Sequence, residues 1–271
     1  MRYLFPQMDI RFSKWEGTGN DFILLDDRQG RHGAMADTWV RRMCDRHFGI
    51  GSDGLILIQA PREPGTRYHM EFLNPDGSRS FCGNGSRCAF AFWRSLENGA
   101  LAPGEEVGFT AIDGSHRARL LADGQIGIAM RPPREQERLA PEMDHLHTGS
   151  PHVVVWVEDP EKVDLLRVAH GIRYNSRFKQ AGVNVNLAAW IDGAVHMRTY
   201  ERGVEDETLS CGTGVTAAAW SARERGLATG DVISVRTRGG ALRVDLGDAA
   251  RSGEALLCGP VREVFTGTYL F

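Results

Sequence analysis

The chain has no run of eighteen apolar residues, which excludes a helical membrane span. Its first residues, MRYLFPQMDIRFSKWEG, lack the apolar stretch and small-residue cleavage site of a signal peptide, so a cytoplasmic protein is expected. Basic residues form no long block and the formal net charge is only -3, which leaves no footprint for nucleic acid. The C-x2-C pairs and following histidines of a zinc site are missing, so a structural zinc is not expected. So are the Walker pattern and a G-x-G-x-x-G that follows a strand and leads to an acidic residue, so neither nucleotide fold is expected. Cysteine is scarce and odd in number, at five. With 271 residues, 42% of them hydrophobic, the chain can build real cores and needs no disulfide framework.

What is present reads as a mixed α+β pattern. Strands are expected at Arg11–Trp15, Phe22–Leu25, Leu55–Ile58 and Tyr68–Leu73, with an exposed hairpin loop at Pro61–Arg67. A helix is expected over Ala34–Arg46, where Met35, Trp39, Val40 and Met43 form an apolar stripe that takes Cys44 into a core. Phe109–Ala111, Arg117–Leu121 and Ile126–Met130 read as a meander. Gln136–Thr148 reads as polar and irregular. Val153–Val157, Val183–Trp190, Ala194–Tyr200, Val232–Thr237 and Ala241–Leu246 read as strands and Val163–Ala169 as a short helix. Cys258 falls in an apolar run, and the chain ends on a possible last strand.

The informative feature is an internal repeat. NPDGSRSFCGNGSRCAFAFWRSLENG (Asn74–Gly99) and ERGVEDETLSCGTGVTAAAWSARERG (Glu201–Gly226) share one grammar: a polar loop, Cys-Gly-X-Gly, a small and apolar helix carrying a Trp, then Gly. Each is followed by strands with a glycine turn, at Gly114 and Gly239. Two copies imply two pseudo-symmetric domains, and a helix apolar almost all round must be wrapped by sheet. The expected domains are 1–128, joined by the tail 259–271, and 129–258, with the active site in the cleft between them.

In both copies a cysteine, Cys82 or Cys211, stands just before a helix whose first amides are free. Those amides and the helix dipole favour an anion, whether a thiolate or a substrate carboxylate. Two such thiols on opposite sides of one carbon suit stereochemical inversion: one takes the α-proton, the other returns a proton to the far face. The resting pair would hold one proton and titrate as a unit. One copy alone is as readily a plain helix cap; the repetition is what argues for chemistry.

Several motifs strengthen that reading: GTGNDF (Gly17–Phe22), FGIGSDG (Phe48–Gly54), NPDGS (Asn74–Ser78), CGNGSRC (Cys82–Cys88), GSPH (Gly149–His152), VNVN (Val183–Asn186), YERG (Tyr200–Gly203) and ETLSCGTG (Glu207–Gly214). Together they resemble the diaminopimelate epimerase family. The resemblance implies two domains, each a mostly antiparallel curved sheet wrapped around a central helix. It also implies a homodimer and a cofactor-independent enzyme, without pyridoxal phosphate or metal, that interconverts LL- and meso-2,6-diaminopimelate in lysine and peptidoglycan precursor synthesis. It makes Cys82 the proton donor and Cys211 the acceptor, roles that swap with direction. It places Asn20, Asn74, Gly83, Asn84, Asn184, Glu201, Arg202, Gly212 and Thr213 at the substrate, with Ser150 a further contact and His152 and Glu201 tuning the thiols. Arg202 suits the distal carboxylate and the carboxamides suit the ammonium groups. Taken singly, Asn74 is a turn residue, His152 a satisfied buried histidine and Arg202 half of a surface pair.

The chain departs from the family pattern in four places. Gly54 stands where a glutamine is common and Ser150 where an asparagine is. The loop from Asn74 to Cys82 is one residue short, and that from Glu201 to Cys211, with Glu205-Asp206-Glu207, is one residue long. Rival readings are a proline or hydroxyproline racemase on the same fold, a thiol-redox protein and a non-catalytic binding protein. Proline has no polar distal end for Arg202, and a redox protein would favour C-x-x-C. A phenazine-type isomerase lacks paired catalytic cysteines.

Overall fold

The computed structural model describes residues 9–32, 37–248 and 253–270. In chain order the elements are β1 (Asp9–Gly17), β2 (Asn20–Asp27), α1 (Asp37–Cys44), β3 (Gly54–Gln59), β4 (Thr66–Leu73), α2 (Gly83–Leu96), β5 (Glu106–Ala111), β6 (Gly114–Leu120) and β7 (Ile126–Met130). Then come β8 (Gln136–Ala140), β9 (Met143–His147), β10 (Pro151–Trp156), α3 (Leu165–Arg173), β11 (Asn184–Ile191), β12 (Ala194–Glu201) and β13 (Asp206–Thr208). The chain continues with α4 (Gly212–Glu224), β14 (Val232–Thr237), β15 (Gly240–Asp245), β16 (Ala255–Gly259) and β17 (Arg262–Leu270). The described residues fall in two compact units, one within Met1–Ile126 and Val261–Phe271, the other within Gly127–Pro260.

In the first unit the strands neighbour one another in the order β17, β1, β2, β3, β4, β5, β6. Only β2/β3 and β4/β5 are parallel, and those are the steps that α1 and α2 bridge. In the second unit β9 to β12, then β14 and β15, repeat the same alternation, with β10/β11 and β12/β14 parallel and bridged by α3 and α4. The registers coincide as well. Phe22 stands opposite Gly54 as His152 stands opposite Asn184, and Leu55 opposite Leu73 as Val185 opposite Tyr200. The duplication therefore equates Asn20 with Ser150, Phe22 with His152, Gly54 with Asn184, and Asn74 with Glu201.

Burial on both faces explains why β3, GLILIQ, is a continuous apolar run rather than an alternating one. On one face, Val40, Met43 and Cys44 of α1 close over Ile23, Leu25, Leu55 and Leu57. On the other, α2 packs on β1 to β4 and buries Cys88, Ala89, Phe90, Phe92 and Trp93. α3 covers Val153, Val155, Val185 and Leu187 in the second unit. α4 lies against β9 to β12 and β14 to β16, so its alanines Ala217, Ala218, Ala219 and Ala222 let the sheet approach closely all round. Sheet curved about an apolar helix is what the sequence called for.

Three expectations need correction or bounding. Gln136–Thr148 is not irregular: β8 and β9 form an antiparallel hairpin, and β9 continues onto β10. Its pattern is hidden because two of the three buried residues of β9, Asp144 and His145, are polar. Gly239 lies in the two-residue turn of the second copy, with Arg238, but it is not the counterpart of Gly114 (φ 118): that is Gly240 (φ 139), and each of these two glycines opens its strand opposite Ala111 or Thr237. Ala34–Ala36 of the expected first helix and the final Phe271 lie outside the described residues.

Candidate active site

Both cysteines of the repeat are helix N-caps with extended backbone, Cys82 at φ -135, ψ 114 before α2 and Cys211 at φ -121, ψ 112 before α4. The Gly85 amide donates to Cys82 Sγ at 3.3 Å, so the sulfur itself accepts from the first turn. None of the five cysteines is in a disulfide. Burial pushes the Cys44 and Cys88 thiols up, which makes both poor nucleophiles.

Around Cys82 the first unit gathers Asn20, Gly83 and Asn84. Asn20 Oδ1 lies 3.8 Å from Cys82 Sγ and accepts from Asn84 Nδ2 at 3.4 Å. The Asn20 amide nitrogen donates to Asp53 Oδ2 at 2.6 Å. Asp53 is held in turn by Arg46 at 2.6 Å, and Arg46 also pairs with Asp21, which the buried Lys14 neutralises from the other side. Burial raises the Asp21 carboxyl, but bonds and charge from Arg46 and Lys14 outweigh it and hold it at about 2. Asn74 is not turned to the cysteine. Its Nδ2 donates to Ser78 O, Ser78 Oγ and Ser80 Oγ, which fastens the short loop that leads to Cys82.

The second unit brings Ser150, His152, Asn184, Cys211 and Thr213 into one network, while Gly212, between the last two, opens α4 and accepts from Thr216. His152 Nε2 lies 2.8 Å from Thr213 Oγ1 and 2.9 Å from Ser150 Oγ, and Thr213 Oγ1 lies 3.4 Å from Cys211 Sγ. Thus the histidine reaches the thiol through a threonine. Asn184 is a brace: it accepts from the Arg202 amide at 2.8 Å and donates to Ser150 Oγ and Pro151 O. The Arg202 guanidinium donates to Ala181 O at 2.9 Å and is otherwise exposed. Glu201 accepts from Thr208 across β12 and β13.

Two side chains that sequence reasoning passed over complete these clusters, Asp53 and Asn186. Asn186 Nδ2 donates to Val153 O and to His152 Nδ1, both at 3.2 Å. Each was visible as a polar residue inside a quoted motif, and Asn186 as a second buried asparagine on the same strand face as Asn184. The departures find physical explanations. A Cβ on Gly54 would meet the Phe72 ring at 2.3 Å, so that ring fills the direction a side chain would take. The longer loop is pinned where Glu205 accepts from Tyr200 at 2.8 Å and Arg173 at 2.9 Å, and where Glu207 pairs with Arg198 at 2.7 Å.

His152 is fully buried, and burial, then the charges of His147, Arg202 and His145, lower it to about 3. It is neutral at physiological pH. An unfolded histidine titrates at 6.5, so between 6.5 and about 3 the unfolded chain binds the extra proton. The contribution to stability is therefore whole above 6.5 and is lost as pH falls below it, at a slope approaching about 1.4 kcal/mol per pH unit. Denaturant titrations across this range should show that slope shrink by one proton's worth in His152→Gln. An unchanged slope would mean that His152 is charged in the folded protein.

The sequence model of diaminopimelate epimerases matches residues 12–125 and 145–264, covering both copies of the repeat. The chain belongs to the diaminopimelate epimerase family. It is 38% identical to the diaminopimelate epimerase of Aquifex aeolicus over 95% of this chain and 97% of that one. With the enzyme of Flavobacterium psychrophilum it shares 36% over 96% and 100%. Among solved structures it resembles a hydroxyproline epimerase from Agrobacterium vitis (TM-score 0.71, 16% identity, 98% and 92% of the two chains). A phenazine biosynthesis protein from Bacillus anthracis is as similar (TM-score 0.71, 13% identity, 97% and 100%). At such identities these two share the fold alone, an α+β architecture of two pseudo-symmetric halves.

Proposed function

We propose that this chain is a diaminopimelate epimerase, an isomerase acting on an amino acid without pyridoxal phosphate or metal, that interconverts the LL and meso forms in lysine and peptidoglycan precursor synthesis. The observation that carries it is the repeated N-cap cysteine, within a family match that spans both copies. One thiolate takes the α-proton and becomes a thiol as the α-carbon gains carbanionic charge. The other thiol gives its proton to the opposite face of that carbon and becomes the thiolate. Exchange with solvent resets the pair. Amides of Gly83 and Asn84, and of Gly212 and Thr213, receive the negative charge that spreads to the substrate carboxylate. Arg202 binds the distal carboxylate, and Asn20, Asn74, Asn184, Glu201 and Ser150 complete the contacts to the amino-acid ends.

The chemistry needs two unlinked thiols, which supports a reducing, cytoplasmic setting. Assembly as a homodimer is supported by the exposure of Val264 and Phe265 on the outermost strand, β17. Incubation with LL-diaminopimelate in deuterium oxide tests the function: meso product should form with deuterium at its α-carbon. Exchange into proline but not diaminopimelate would favour the racemase reading instead.

A further inference from the structure

Cys82 Sγ accepts from the Gly85 amide at 3.3 Å as a helix cap. The side chains that face the two thiols nevertheless differ in hydrogen-bond polarity, Asn20 presenting an oxygen to Cys82 and Thr213 a hydroxyl to Cys211. Each of these orientations traces back to a residue that touches neither sulfur. Asp53 offers only acceptors, so the Asn20 amide nitrogen must face it at 2.6 Å. The Asp53 carboxylate cannot turn away, because Arg46 Nη2 holds Oδ1 at 2.6 Å while the Asp21 amide donates to Oδ2. Asn20 is thereby left with its oxygen towards Cys82 Sγ. An acceptor there suits a thiol, which can donate, and disfavours a thiolate.

The second unit can be read proton by proton. Val153 O accepts only, so the Asn186 amide nitrogen faces it, and its second hydrogen points to His152 Nδ1. Thr199 donates to the Asn186 oxygen at 3.0 Å and fixes the same orientation. His152 is neutral, so an accepting Nδ1 leaves its proton on Nε2. Asn184 Nδ2 donates to Ser150 Oγ, and Ser150 cannot donate to a protonated Nε2, so the Ser150 hydroxyl donates to Thr213 Oγ1 at 3.0 Å. Thr213 Oγ1 then accepts from Ser150 and from His152 Nε2–H. Its own proton is directed to Cys211 Sγ at 3.4 Å, a donor that suits a thiolate. In the first unit Phe22, which can neither donate nor accept, stands in the place of His152.

We propose that Asp53 and Asn186 are positioning residues that assign the single proton of the thiol pair, keeping Cys82 as the thiol and Cys211 as the thiolate in the resting enzyme. The proposal rests on the epimerase reading, but its test needs no turnover. Asp53→Asn keeps the shape but offers an amide hydrogen to Asn20. Arg46 still demands the oxygen of residue 53, so Asn20 turns its own amide hydrogens to Cys82. Asn186→Asp removes the donor to Nδ1, draws the His152 proton onto Nδ1 and leaves Nε2 to take the Thr213 proton away from sulfur.

Each thiol is followed by mass spectrometry of iodoacetamide labelling near neutral pH and compared only with itself across variants. Asp53→Asn should speed labelling of Cys82, and Asn186→Asp should slow that of Cys211, each roughly tenfold, the change made by one hydrogen bond to the ionised form. Loosened packing would instead speed both. Nitrogen-15 shifts of the His152 ring should place the proton on Nε2 in the parent and on Nδ1 in Asn186→Asp. Should Asn186→Asp fail to fold, Thr213→Val should slow Cys211 and Thr213→Ser restore it. Either thiol unmoved by its variant, or a parent His152 protonated on Nδ1, overturns the proposal. A protein that labels as expected yet never epimerises diaminopimelate overturns the function and leaves the polarity standing.

Discussion

Cys82→Ser and Cys211→Ser should each slow the formation of meso- from LL-diaminopimelate by roughly 100- to 10,000-fold, the range general acid–base groups contribute. Serine keeps the size and the N-cap geometry, but its hydroxyl is far too weak an acid to be held ionised by amides and a helix dipole, whereas a thiol is not. Cys44→Ala and Cys88→Ala should leave the rate unchanged. Burial drives both of those thiols up, away from ionisation, and neither stands at a helix start. Stereochemistry adds a sharper readout than rate. In a two-base scheme each single variant keeps one working thiol, so it can still exchange the α-proton of one stereoisomer with retention much faster than it forms the epimer. The isomer that exchanges tells which face of the carbon the surviving thiol serves. Full epimerisation by either variant would end the two-base mechanism.

The sequence showed the site better than it showed the framework, for a physical reason. Cys-Gly-X-Gly before an apolar helix is a local signal, and local signals survive in one dimension; both cysteines became the N-caps they were expected to be. The strands read from β-branched and apolar runs are present, with ends moved by a few residues, because strand ends depend on partners far along the chain. What stayed hidden is pairing. Nothing local says that β17 returns to β1, or that Phe22 and His152 occupy one position in two copies of a register. Asp53 and Asn186 were in plain view inside recognised motifs, yet their tasks are set by Asn20 and by His152, brought to them across parallel pairs. Gly54 was noticed as a missing side chain; that the Phe72 ring takes up its direction is a diagonal contact between neighbouring strands that spacing cannot reveal.

Asp144→Ala should cost the second unit about 3–5 kcal/mol, the penalty for removing one partner of a buried ion pair. Asp144 lies on β9, in the hairpin that sequence reading took for irregular chain, and its side chain is 7% exposed. It accepts from Arg225 Nε and from Ser221 Oγ, both at 2.5 Å, and from Arg138 at 3.0 Å. Ser221 also receives the Trp156 indole N–H at 2.8 Å, and the Arg225 guanidinium lies 5.8 Å from the centre of that indole ring. Burial alone would raise the Asp144 carboxyl; the bonds from Arg225, Ser221 and Arg138 reverse the sign and hold it below 3.8. Alanine leaves the Arg225 charge, 13% exposed, without its carboxylate. The consequence for catalysis follows from where this cluster sits. Ser221 is on the last turn of α4 and Arg225 is its C-cap, while Cys211 caps the other end of the same helix. A helix whose tail is no longer tied to β9 positions its first turn less sharply, so the rate of epimerisation should fall along with stability. Asp144→Asn, which keeps the Ser221 bond but not the charge, should lie between alanine and the parent in both. Urea titrations read alongside rates decide it: a loss below about 1 kcal/mol would class the cluster with ordinary surface pairs, and full activity in a clearly destabilised Asp144→Ala would show that the thiol is held by its own first turn alone.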